Sequence, residues 1–169
     1  MALSKNVLMA ELMDTLPQVG EITWIGLRSA RRAPLTVTQE AMIDEAEGLV
    51  GDHFVGKRSK KRQVTLIQAE HIAGVGSMLH RDAVDPGLLR RNIVVKGINL
   101  LALKDKQFQI GDAVLEMTGL CHPCSRMEEN LGPGGYNAMR GHGGITARVI
   151  KGGKIQMGDR IQLLDTEVS

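Results

Sequence analysis

Nine short runs rich in β-branched and apolar residues set the terms for this chain: VGEITWIGL, LTVTQEAMI, RQVTLI, RNIVVKGINL, KQFQI, DAVLEMTGL, GITARVI, KIQMG and DRIQLL, with Gly, Asp, Pro or Asn between them. Runs of this length and composition read as strands, and so many in one chain predict a sandwich or a barrel. Helix-like stretches are few: Gln68 to Leu79, a turn near Pro86 to Leu89, and Pro123 to Leu131. The balance predicts a mainly β fold, a closed or nearly closed β-barrel carrying a few short helices. Leu8, Leu12 and Leu16 share one helical face, with Ser4 upstream as N-cap and Pro17 as the stop. They predict a short opening helix within residues 1–17, ahead of a barrel core over 18–165. The Gly152-Gly153 pair between ARVIK and KIQM reads as a hairpin turn. No repeat, linker or low-complexity segment interrupts the chain, which reads as one domain over 1–169.

At 169 residues and 43% hydrophobic, the chain can bury a proper core. No stretch is apolar for long enough to span a bilayer, and the acid-bearing opening MALSKNVLMAELMDTL lacks the pattern of a secretory signal, so a soluble cytoplasmic protein is expected. A formal charge of +2 and a short list of aromatics (Trp24, Tyr136, Phe54, Phe108) argue against a nucleic-acid partner. The densest charge run, Lys57, Arg58, Lys60, Lys61 and Arg62, reads as a solvated loop tip. Arg62 stands apart because it enters a strand and is placed to face a pocket.

Both cysteines fall in TGLCHPCSRMEENLGPGGYNAMRGHGG, Thr118 to Gly144. In a reducing compartment two cysteines are better explained as ligands or reactive thiols than as a disulfide. A thioredoxin-like dithiol needs a βαβ setting that this β-rich chain does not supply. Zinc needs more ligands than Cys121, Cys124 and His122 or His142 offer in clean pairs. The remaining reading makes Cys124 alone the working atom. A strand before it and Pro123 at the first helical position would set it at an exposed helix N-terminus, which favours a thiolate and a soft ligand or sulfur carrier. The glycines that follow either let backbone approach a flat ligand or serve as turns. Upstream, Arg90 and Asn92 precede an apolar strand. By strand alternation they share a face that Arg91 does not, and an arginine fork beside an amide suits an anionic cofactor. Asp52 and His53, in GLVGDHFVG, are read either as a hairpin with a satisfied histidine or as part of a site.

Taken in order, GLVGDH, RQVTLI, LRRNIVVKGINLLAL, QIGDAVLEMTG, PCSRM and GGKIQMGDRI resemble the MOSC domains, named for the C-terminal domain of molybdenum-cofactor sulfurases, from about Gln18 to Leu164. The resemblance implies a barrel like that of pyruvate kinase. It also implies a molybdopterin-type molybdenum cofactor, with Cys124 as metal ligand or sulfur carrier and with Arg90 and Asn92 among the cofactor contacts. Arg62, His53, Ser125 and Gly143 join Arg90 and Asn92 as candidate cofactor-binding residues, and His122 and His142 join Cys124 as candidate catalytic ones. The implied activity is reduction of an N-hydroxylated small molecule using electrons from a separate reductase. Sulfur transfer through a Cys124 persulfide fed by a donor protein, cofactor delivery, and a non-catalytic module are the alternatives. Unlike the eukaryotic sulfurases, no pyridoxal-phosphate desulfurase is expected here. Nor are the N-terminal cofactor-cradling region of the amidoxime-reducing members and the C-terminal helices of bacterial detoxifying members. Self-association is left open.

Overall fold

The structure, a computed structural model, describes residues 8–53 and 60–164. Its order is α1 (Met9–Asp14), β1 (Gly20–Arg28), β2 (Leu35–Val37), β3 (Glu40–Asp44), β4 (Gly48–Leu49), β5 (Val64–Gln68), α2 (Ala69–Met78), β6 (Ile93–Lys96), β7 (Gln107–Ile110), β8 (Ala113–Leu120), α3 (Ser125–Leu131), α4 (Gly135–Met139), β9 (Ile145–Lys151), β10 (Gly153–Gln156) and β11 (Arg160–Leu163). Short 3-10 turns precede β5 at Lys60–Arg62 and β6 at Pro86–Leu89, and another lies at Leu100–Leu103.

The strands hydrogen-bond in the order β11-β7-β8-β9-β5-β6-β1, and β11 pairs back onto β1, so the sheet closes on itself as a barrel. Closure removes the free edges that an open sheet would present. Alternation does the filling: on β8 Ala113, Leu115 and Met117 point inward, and Phe108 and Ile110 do so on β7. All neighbours are antiparallel except β5 and β6, which run parallel and are joined through α2. This pair is buried on both faces. Leu66, Ile93 and Val95 face the barrel core, while Ile67 and Val94 pack outward against Ile72 and Val75 of α2, Met127 and Leu131 of α3, and Met139 of α4. Double burial explains why VTLI and NIVV read as unbroken apolar runs.

A second sheet, β10-β3-β4, lies beside the barrel. It overturns the expected Gly152-Gly153 hairpin: β9 pairs with β8 and β5, whereas β10 pairs with β3. The two glycines mark a crossing between sheets. A Cβ at Gly152 would stand 2.6 Å from the Ile43 carbonyl oxygen, and one at Gly153 2.6 Å from that of Asp112. The run LTVTQEAMI splits in two, because Leu35–Val37 pairs with β1 and Glu40–Asp44 with β10. α1 is shorter than residues 1–17 and buries none of its side chains. The expected cap Ser4 lies outside the described residues, as do Lys57 and Arg58 of the basic run. No described helix is long and apolar enough to cross a membrane.

Candidate functional site

Register locates the site. Ile25 of β1 lies opposite Ile93 of β6, Ile93 opposite Leu66 of β5, Leu66 opposite Ile145 of β9, and Ile145 opposite Leu120 of β8. This row of apolar residues crosses five strands, and just beyond it the chain leaves the barrel at one rim. There the exit of β1, the starts of β2, β5 and β6, the turn after β4 and the exit of β8 surround a cleft of about 310 Å³. Its walls are Arg28 and Leu35, Asp52 and His53, Arg62 and Thr65, Arg90 to Asn92, and Cys121, His122 and Cys124.

Charge in the cleft is one-sided: four arginines face a single carboxylate, Asp52. The Asp52 carboxylate accepts a hydrogen bond from the Arg28 backbone N–H at 2.9 Å, and its charge lies close to the Arg28 guanidinium. Burial, and then the neighbouring Arg90, lower the Arg28 pKa from its ordinary value, with Asp52 opposing. The Nε atoms of Arg28 and Arg90 are both buried with no hydrogen-bond partner among the described residues. An unsatisfied buried donor on a cation costs free energy unless an acceptor meets it. Two such guanidiniums lining one cleft make it a candidate place for an anion.

Arg91 is spent on the protein itself. It is 6% exposed, and its guanidinium donates to the carbonyls of Gly143 (Nε, 2.7 Å), Leu89 (Nη1, 2.9 Å) and Cys121 (Nη2, 3.3 Å). Burial lowers its pKa, and Cys121 and then Cys124 push the other way. Asn92 is likewise committed. Its Oδ1 accepts from the N–H and hydroxyl of Thr65 at 3.2 and 3.0 Å, and its Nδ2 donates to the Gly26 carbonyl at 3.4 Å. The amide thus ties β5 and β6 to β1 and forms wall more than grip.

The two cysteines differ in setting. Both are free thiols, but Cys121 is buried and Cys124 is exposed. Cys121 donates its N–H to the Gly144 carbonyl at 2.9 Å. Cys124 is the N-cap of α3, its carbonyl accepting from Met127 N–H at 2.9 Å, and Pro123 stands before the helix instead of in its first turn. His122 and His53 are exposed at the cleft, and Arg62 lies at its edge. Ser125 opens α3 without lining the cleft.

His142 and Gly143 lie elsewhere. The His142 ring packs edge-on against His71 of α2, with centroids 5.0 Å apart, outside the cleft lining. Gly143 is packed against protein: a Cβ there would stand 2.0 Å from the Cys121 carbonyl oxygen. None of the glycines between Gly132 and Gly144 lines the cleft. Gly132, Gly134, Gly141 and Gly144 take positive φ, and the short helix α4 forms among them. Among the described residues no three His, Cys, Asp or Glu side chains converge as a metal cluster. Sequence reasoning passed over Arg28 and Thr65 and set Arg91 on the opposite face. The position of Arg28, directly after the first predicted strand, was the one available signal for it.

No curated protein sequence gives a significant match to the chain. Among solved structures, the YUAD protein from Bacillus subtilis superposes with a TM-score of 0.74 at 18% identity, covering 87% of this chain and 97% of that one. YiiM from Geobacillus stearothermophilus gives 0.67 at 16%, covering 89% and 77%. YiiM from Escherichia coli gives 0.65 at 17%, covering 88% and 72%. At these identities the likeness is one of fold. A family model described as the MOSC domain matches residues 51–162. That span runs from the turn bearing Asp52 and His53, through the arginines before β6 and the Cys121–Cys124 loop, into β11. It takes in every cleft residue except Arg28 and Leu35, and the chain belongs to the MOSC domain family.

Proposed function

We propose that the cleft holds a molybdopterin-type molybdenum cofactor with Cys124 as the protein's ligand to the metal, and that the protein supports reduction of N-hydroxylated small molecules. The observation that carries the reading is an exposed thiol in a cleft where Arg28 and Arg90 each leave a buried Nε without a partner among the described residues. Such a site suits a ligand that is anionic at one end and thiophilic at the other. Arg28 and Arg90 would hold the anionic group, with Arg62 at the edge. When bound, the cofactor supplies two-electron chemistry for removing oxygen from the substrate.

The chain's own residues supply position and protons. Asp52 holds the Arg28 segment through the backbone bond described above, which keeps the guanidinium on its side of the cleft. His122 and His53 are the cleft groups suited to hold and deliver a proton. His142 is assigned no part, since it packs on α2. Electrons come from a separate reductase in this reading.

The test is the molybdenum and labile-sulfur content of protein purified from a cofactor-competent host, with Cys124→Ser beside it. Near-stoichiometric molybdenum in the parent and its loss in the variant are expected. Labile sulfur without molybdenum would replace this reading with sulfur transfer through a Cys124 persulfide, and neither element would leave a binding module.

A further inference from the structure

Arg91 is a buried guanidinium that no carboxylate among the described residues pairs with. Its hydrogen bonds run to three backbone carbonyls from separate segments: the turn before β6, the exit of β8 and the approach to β9. A flat fork with donors in fixed directions can satisfy such an arrangement, and the single point of a lysine ammonium cannot. The peptide groups of Cys121 are thereby gripped on both sides, its N–H by the Gly144 carbonyl and its C=O by Arg91. Only His122 and Pro123 separate this clamp from Cys124, which caps α3. That helix is anchored in turn by Met127 and Leu131, both buried. Neither end of the loop is free, so the clamp and the helix together fix where the Cys124 thiol stands relative to Arg28 and Arg90.

We infer that Arg91 is a positioning residue whose three-carbonyl clamp holds the Cys121–Cys124 loop so that the Cys124 thiol stays over the arginine-lined cleft. The inference rests on the reading of Cys124 as the cleft's working thiol. It differs from the anion-holding role given to Arg28 and Arg90, because Arg91 acts through backbone geometry and not through its charge.

Arg91→Lys separates the two roles, since it keeps the charge and loses the fork. Cys124 in parent and variant is alkylated with iodoacetate and with iodoacetamide, and the modified peptide is quantified by mass spectrometry. In the parent, iodoacetate should be favoured by roughly threefold over its ratio at an unstructured cysteine peptide, the scale of one water-screened charge at about 6 Å. In Arg91→Lys that preference should fall to the peptide ratio, and hydrogen exchange should quicken at residues 121–124 and 143–144 but not in β7. A variant that keeps both the preference and the parent's exchange pattern overturns the inference. A parent with no preference for iodoacetate counts against the anion-holding cleft alone, and the exchange comparison then still decides the clamp. Should Arg91→Lys fail to fold, the parent decides it. Its Arg91 Nε–H signal must resist solvent exchange and move when Cys124 is alkylated, and a fast-exchanging Nε–H overturns the inference.

Discussion

A methyl group added at Gly143 would meet the Cys121 carbonyl oxygen at 2.0 Å and the Arg91 Nη2 at 3.2 Å. Neither neighbour can yield cheaply, because the first is backbone and the second is committed to that same carbonyl. Gly143→Ala should therefore destabilise the ligand-free protein by about 1–3 kcal/mol, the usual scale of overpacking, read from the urea midpoint. An unchanged midpoint with weaker cofactor retention would instead return Gly143 to the ligand-contact role that the sequence suggested. The same small region shows where residue-level reading stops. Placing Arg90 and Asn92 on one face assumed extended backbone through Arg90. Arg90 instead has φ 61°, in the left-handed region, as the cap of the turn before β6. Strand alternation therefore does not apply there, and all three residues Arg90, Arg91 and Asn92 reach the cleft wall. The exposure of Cys124 was legible from the strand and proline before it, whereas the burial of Cys121 was not; the family resemblance added only that the pattern needs the second cysteine.

Elements built from long-range pairing were the least legible. The crossing at Gly152-Gly153 has the composition of a hairpin, and only the partnering of β10 with β3, more than a hundred residues upstream, shows otherwise. α2, by contrast, falls within a residue of its predicted bounds, because its start after β5 and its apolar face are both local signals. That helix carries His71, whose pKa is lowered from 6.5 by burial and by the facing His142, with Glu70 opposing. The His142 Nδ1 is itself buried without a partner among the described residues. A histidine with a depressed folded-state pKa binds its proton more readily when unfolded, so unfolding free energy rises with pH between the two values. The contribution is present above pH 6.5 and is lost as pH falls through the lower folded value. Thermal melts between about pH 7.5 and 5.5 should show the parent losing stability towards acid more steeply than His71→Gln. Parallel curves would mean that the pair does not titrate on folding.

At the scale of the whole molecule, scaffold and site pull in opposite directions. The barrel interior is filled by one large apolar cluster, whereas at the rim Arg28, Arg62, Arg90 and Arg91 share a cleft with a single carboxylate. Without a ligand, Arg28 and Arg90 carry a cost at this rim. Burial and Arg90 lower the Arg28 pKa, and two buried Nε donors go unmet among the described residues. Sites arranged for ligand charge commonly weaken the empty protein in this way. Replacing Arg90 by Met keeps a long side chain against the wall, removes one charge from Arg28 and removes one orphan donor, while the backbone bond between Asp52 and Arg28 stays. Arg90→Met should therefore melt at least as high as the parent, by up to about 1 kcal/mol or roughly 2–4 °C for a chain of this size. With inorganic pyrophosphate as the probe, the parent should gain melting temperature with concentration, as any ligand of the folded state must cause, and the variant should gain far less. The gain should shrink as salt is raised, because the attraction is between charges in an open cleft. A variant that melts lower than the parent yet keeps the full pyrophosphate response would show that Arg90 serves the scaffold, and the anion-holding role would pass to Arg28 alone.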